Sequence, residues 1–200
     1  MTATIALKKR ITAEEYLEQE RANLREFGGK HEFFNQQLIE IAGGSIPHSG
    51  IESNLSFVFQ SQARLYKTNH LVLSSNAKVL SFLTYKNYLY PDLIVVEGRP
   101  FHADDNNDIV LNPSILVEVL SDSTESFDRG DKFRSYRQIN SLKEYVLIAQ
   151  DAVRIEHFFK DENGRWQIGE VITEGSLKLT YSPIELSVDD VYYNVVFDEK

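Results

Sequence analysis

The sequence predicts an α/β domain whose middle runs helix, three strands, helix, strand, with further strands on both flanks. Three observations carry this. Ile51, Leu55, Val58, Phe59, Gln62 and Leu65 recur at intervals of three and four, the spacing of one helix face. The runs 91–96 and 115–120 are short and almost wholly apolar, as in strands covered on both faces. Phe133, Tyr136 and Ile139 stand three apart, which lays a second helix, 129–139, on the sheet ahead of a strand over 144–149.

Thr12 and Glu15 have the spacing of a capping box, hydroxyl and carboxylate each answering the other's free N–H, so a helix over 13–27 follows until Gly28 and Gly29 stop it. Residues 31–34 and 38–42, separated by Asn35, Gln36 and Gln37, read as a short hairpin. After Gly43, Gly44, Ser45 and Pro47 the periodic helix is expected to start at His48 or Ser49 and run to Tyr66. Residues 71–73 and 78–83 read as strands. Residues 153–159 pair back on 144–149 around Gln150 and Asp151, Asn163-Gly164 makes a hairpin turn before Trp166, and 187–193 suits a short helix. No repeat or long linker divides the chain. One domain over 12–193 is expected, with tails at 1–11 and, acidic, at 194–200.

A hydrophobic share of 42% with 12 Phe, 10 Tyr and one Trp is enough for a sizeable core and excludes global disorder. The absence of cysteine removes disulfides, thiolate metal sites and cysteine nucleophiles together and fits a reducing cytoplasm. No apolar run approaches the roughly 20 residues of a membrane span, and residues 1–10 lack the pattern of a leader, so a soluble cytoplasmic protein is expected. The net charge of −9 argues against a polyanionic partner, because such affinity comes from Lys and Arg neutralising phosphates. Locally the balance reverses: Arg129, Lys132, Arg134, Arg137 and Lys143 face only Asp131, giving +4 over 129–143.

Glu118 interrupts Ile115, Leu116, Val117, Val119 and Leu120, so a carboxylate lies on a strand whose neighbours demand burial. Unpaired it would cost several kcal/mol or take up a proton. It needs a cation, either a structural Arg or Lys or a divalent metal suited to hard oxygen ligands. Asp92 follows Pro91 at the entrance to another apolar strand, and if the two strands are neighbours both acids converge on one ion. Other chemistries lack their motifs: there is no nucleophile elbow, phosphate-binding glycine loop or His-Glu-x-x-His. Five histidines are scattered without ligand spacing, and a carboxylate-pair glycosidase would leave Lys132 and its basic helix without a role.

Pro91-Asp92, an apolar strand with Glu118 and a helix with Lys132 together resemble the PD-(D/E)XK nuclease superfamily. More closely, several segments resemble a bacterial restriction endonuclease family formerly catalogued as a domain of unknown function. They are Ala42-Gly43-Gly44-Ser45 with His48, Tyr90-Pro91-Asp92, the stretch from Val117 through Glu118 to Thr124, Asp128-Arg129-Gly130-Asp131-Lys132 with Tyr136, and Ser141-Leu142-Lys143-Glu144-Tyr145. The resemblance spans about 12–192 and implies a restriction-endonuclease-like core. One departure stands out: the superfamily's lysine, two residues after the glutamate, is Leu120 here, and Lys132 on the following helix would supply the amine.

The resemblance implies a metal-dependent endonuclease acting on DNA, with Asp92 and Glu118 holding Mg²⁺ or Mn²⁺ and Lys132 completing the catalytic set. Glu32 would be a further metal ligand or a residue orienting one, or else a surface acid paired with Lys30. His48 would bind a phosphate or a metal-bound water, or simply cap or pack its helix. Ser121, Asp128 and Tyr136 would support the site or form turns beside it, Asp128 as the cap of the helix bearing Lys132. Arg134 and Arg137 would position phosphates. A homodimer is expected, paired through the aromatic-rich strands over 153–181. The alternative is the same fold without cleavage, serving as a module for DNA binding or protein interaction.

Overall fold

The computed structural model describes residues 10–26, 29–41 and 43–197. Most of the expected N-terminal tail, the helix stop at Gly28, the motif residue Ala42 and the last three residues of the acidic tail lie outside them.

Helix α1 (Ala13–Glu26) opens on the expected capping box: Thr12 N–H donates to Glu15 Oε2 at 2.7 Å and Glu15 N–H to Thr12 Oγ1 at 3.1 Å. The hairpin of β1 (His31–Phe34) and β2 (Gln37–Glu40) turns on two residues rather than three. Asn35 and Gln36 have φ of 51° and 65°, the left-handed pair of a tight hairpin turn, so Gln37 already lies in the strand. Helix α2 (Ile46–Leu65) starts two residues before the expected position, because Ser45 accepts from His48 N–H and Pro47 occupies the first turn, where a missing N–H costs nothing.

The remaining strands are β3 (His70–Ser74), β4 (Lys78–Phe82), β5 (Lys86–Leu89), β6 (Leu93–Glu97), β7 (Ile109–Val110), β8 (Ile115–Leu120), β9 (Glu144–Ala149), β10 (Ile155–Lys160), β11 (Trp166–Ile168), β12 (Ser176–Lys178) and β13 (Glu185–Ser187). Between β8 and β9 the chain forms α3 (Glu125–Phe127), a π-helical turn (Asp128–Lys132) and α4 (Phe133–Tyr136); α5 (Val188–Val191) follows β13. The expected order helix, three strands, helix, strand is therefore α2, β3, β6, β8, α3 to α4, β9. The strand at β4 does not join that core: with β5 and β7 it enters a second sheet, ordered β2-β1-β5-β4-β7.

The main sheet is ordered β11-β10-β9-β8-β6-β3, with β8 parallel to β9 and antiparallel to β6. Side chains alternate across it. Val117, Val119, Val146 and Ile148 pack on Ile51, Leu55 and Phe59 of α2, while Leu116, Leu120, Leu147 and Tyr145 pack on Tyr136 and Ile139 from the other side. That alternation sends Glu118 toward α4. Leu93 pairs with Val117, so the next step of the register brings Asp92, just ahead of β6, opposite Glu118.

Candidate active site

Seven of the ten residues singled out in the sequence meet at this place. Glu118 is 2% exposed, and its Oε1 accepts from Tyr136 Oη at 3.1 Å and from Lys132 Nζ at 3.3 Å. The Lys132 amine also lies 2.9 Å from Glu32 Oε1 and 3.1 Å from Asp128 Oδ1, both as ion pairs. One buried amine thus faces three buried carboxylates. Glu32 is held by Tyr90, whose backbone N–H donates to its Oε1 at 3.0 Å, and is not a surface acid paired with Lys30, whose amine goes to Ser75 O instead. Asp128 does not cap a helix. The helical segment starts at Glu125, which puts Asp128 inside it, one turn from Lys132, with its carboxylate on the amine.

Asp92 sits at the rim of this cluster. Its Oδ2 accepts from Val119 N–H at 2.6 Å, which fixes it beside Glu118, and lies 3.5 Å from His48 Nε2. On the other side of the imidazole, His48 Nδ1 is buried, lacks a hydrogen-bond partner and lies 3.4 Å from Glu52 Oε2. Glu52 was not among the residues singled out, although it stands four after His48, on the same helix face.

Three residues stand apart. Ser121 O accepts from Thr124 and Glu125 N–H, and its hydroxyl meets those of Ser123 and Thr124; of its two expected roles it takes the turn-forming one, ahead of α3. Arg134 and Arg137 are exposed on the outer side of the helical segment that carries Lys132.

The electrostatics follow from burial and from the excess of acids. Burial pushes the Glu118 carboxyl well above the usual range; Lys132 works against this, while Asp128, Asp92 and Glu32 add to it. Burial likewise raises Glu32, opposed by Lys132. For Lys132 burial favours the neutral amine, but Glu118, Glu32 and Asp128 outweigh it and hold the amine charged. Tyr136 and Tyr145 are kept neutral by burial among these acids. Burial also disfavours a charged His48, yet Asp92 and Glu52 overcome it and push its pKa up to about 10. Glu118 and Glu32 are thus held against the charge of their neighbours, and three buried carboxylates share the one amine of Lys132. Such a donor set, oxygen-rich and short of positive charge, suits a hard divalent cation.

Sheet order, register and this acid-lysine cluster define a protein of restriction-endonuclease-like fold. A crystal structure from Anabaena variabilis, described as a "putative nuclease belonging to DUF820", has the same fold, with a TM-score of 0.70 at 17% identity over 93% of this chain and 99% of that one. The family model Uma2, "Putative restriction endonuclease", matches residues 13–188, and the chain belongs to that family. Two uncharacterized proteins of Synechocystis are similar along most of its length. One is 34% identical over 172 residues, covering 86% of this chain and 93% of its own. The other is 32% identical over 194 residues, covering 94% of each. No helix among the described residues is long and apolar enough to cross a membrane.

Proposed function

We propose that this chain is a metal-dependent endonuclease that hydrolyses DNA phosphodiester bonds. The single observation that carries the reading is the charge balance around Lys132: three buried carboxylates share its amine, while Asp92 adds a fourth acid beside Glu118. Family membership and fold point the same way. Asp92 and Glu118 would hold Mg²⁺ or Mn²⁺, each offering carboxylate oxygen from neighbouring positions of the sheet. A cation held there supplies a polarised phosphate oxygen and a water of lowered pKa.

The chain's own groups do the rest. Glu32 and Asp128 keep Lys132 charged and aimed, so that the amine offsets negative charge developing on the phosphate, an effect worth a few kcal/mol in such sites. Tyr136 fixes the Glu118 rotamer through Oε1, leaving Oε2 out of both bonds. Arg134 and Arg137 would take flanking phosphates, which reconciles an acidic protein with an acidic substrate and makes binding fall with salt. Cutting both strands calls for two copies, so a homodimer in a reducing cytoplasm completes the reading.

The test is nicking of supercoiled plasmid in Mg²⁺ and in Mn²⁺ over a range of salt. Wild type nicks, and Asp92→Ala and Lys132→Met do not. Equal behaviour of all three would remove the catalytic reading and leave a nuclease fold that only binds.

A further inference from the structure

We propose that the outward face of α2, with the chain segment after α5, is the surface on which a second copy of this chain packs about a two-fold axis. Ile46, Phe57, Tyr193 and Val196 are 91%, 73%, 66% and 79% exposed, four of the six most open large apolar side chains among the described residues. They lie on one surface. Successive helical residues turn by about 100°, so Ile46, Gly50, Ser53, Phe57 and Gln60 share a line opposite the buried Ile51, Leu55, Val58 and Phe59. The segment after α5 runs back beside that line: Asn54 Nδ2 donates to Val191 O at 3.0 Å and to Tyr193 O at 2.9 Å, and a Cβ built on Gly50 would meet Val195 Cγ2 at 3.7 Å.

Area and charge decide what covers this patch. An aromatic side chain offers about 150–250 Å² and an aliphatic one somewhat less, so the four leave roughly 600 Å² of mainly apolar surface open. That is the upper end for the largest patch on a typical monomer, at about 300–600 Å², and approaches the about 800 Å² that each partner gives to a stable interface. The exposed residues of α2 from Ile46 to Gln60 are Ile46, Ser49, Ser53, Phe57 and Gln60, none of them charged, in a chain of which 26% is charged. Nucleic acid or an anionic lipid surface calls for Lys and Arg on such a face, and the first along it is Arg64.

The spacing is also self-complementary. With two α2 helices antiparallel about an axis between Gly50 and Ser53, Ile46 of each copy meets Phe57 of the other, and the small Gly50 and Ser53 face each other so that the backbones approach closely. Such an isologous contact closes at two copies. Ile168 and Val171, open apolar residues in the region 153–181, stand instead among exposed Glu162, Arg165 and Glu170. His48 and Glu52 lie on the same helix but turn toward Asp92, so the two copies would carry their Lys132 clusters on opposite sides of the axis, as two cuts require. In that use alone the inference rests on the nuclease reading.

The experiment is sedimentation equilibrium of the full chain, with cross-linking through introduced thiols, which the cysteine-free sequence makes unambiguous. Wild type is expected to be a dimer at micromolar concentration. Phe57→Glu, at an open position, should raise the dimer dissociation constant at least ~30-fold, the loss of one aromatic anchor, and leave the circular dichroism unchanged. Ser53→Cys should give a covalent dimer with a short bis-maleimide, and Ile168→Cys should not. A monomeric wild type, an unchanged dimer in Phe57→Glu, or a covalent dimer from Ile168→Cys alone overturns the proposal. So does flotation of a monomeric wild type on anionic vesicles, which would assign the patch to lipid. Should Phe57→Glu fail to fold, the two thiol variants decide. A dimer joined through α2 that does not nick plasmid removes the nuclease reading and leaves this interface intact; Asp92-dependent nicking by a wild-type monomer does the reverse.

Discussion

Lys132 lies nearer to Glu32 than to Glu118, at 2.9 Å against 3.3 Å. One of the three carboxylates on the amine therefore comes from the N-terminal hairpin, outside the helix and strand core that carries the other site residues. Glu32→Gln keeps the shape and the carbonyl acceptor for Tyr90 N–H but removes the charge. Two carboxylates remain on the amine, so the loss in stability should be about 2 kcal/mol, below the 3–5 typical of a buried pair that is broken outright. Nicking should fall at least ~10-fold. A wild-type rate in Glu32→Gln would mean that the amine needs no such anchor.

Tyr136→Phe removes the hydroxyl that donates to Glu118 Oε1 at 3.1 Å and nothing else. The bond is buried and its acceptor keeps Lys132, so the urea midpoint should drop by the equivalent of about 1–2 kcal/mol. The nicking rate should fall less than in Glu118→Gln, because Tyr136 only fixes a rotamer. An equal fall in both variants would assign Tyr136 a larger role than positioning.

Much of this site was legible because strand alternation is strict. Once Val117 and Val119 pack on α2, Glu118 must face the other helix, and antiparallel register then sets Asp92 opposite it. The strand β5 was not legible, since its Asn87 is polar and yet buried: the amide donates to Ser135 Oγ and accepts from Asn35 N–H, a partnership between distant segments that no local pattern displays. The same holds for Asp128. Its place inside a helical segment depends on the turn from Ser121 to Thr124 and on the wide π-helical turn, neither of which has a period to read. Glu52 is different: its helix was plain and its spacing from His48 was in view, but a histidine and a glutamate four apart mean little until Asp92, just ahead of β6, arrives beside them.

Gly130 lies in the middle of the motif Asp128 to Lys132, where a glycine suggests an unusual backbone. Its φ is not positive, and a Cβ built there meets nothing within 4 Å. Gly130→Ala should therefore raise stability by about 0.5–1 kcal/mol, because alanine loses less backbone entropy in a helical segment. Thermal unfolding measures this directly. A lowered midpoint would show that the π-helical turn depends on glycine after all.

Acid sensitivity should have an identifiable component far from the Lys132 cluster. Asp108 accepts from Arg21 at 2.7 and 3.0 Å and from the buried Lys78 amine at 2.7 Å, tying α1 to the second sheet. Burial works against the carboxylate, but Arg21 and Lys78 overcome it and hold its pKa down at about 2, from an ordinary 3.8. A depressed folded pKa means that the unfolded chain binds the proton first. The contribution is complete above about pH 4 and is lost as pH falls toward 2. The carboxylate is a quarter exposed, so after solvent screening it is worth about 1 kcal/mol. Removing the charge also leaves the Lys78 amine buried without its partner, a cost independent of pH in this range. Asp108→Asn should therefore be the less stable protein at pH 6, and its gap from wild type should narrow by about 1 kcal/mol between pH 4 and pH 2, read from urea midpoints. A gap that stays constant through that window would mean that Asp108 titrates alike in the folded and unfolded chains, and that the Arg21 and Lys78 contacts do not hold its proton off.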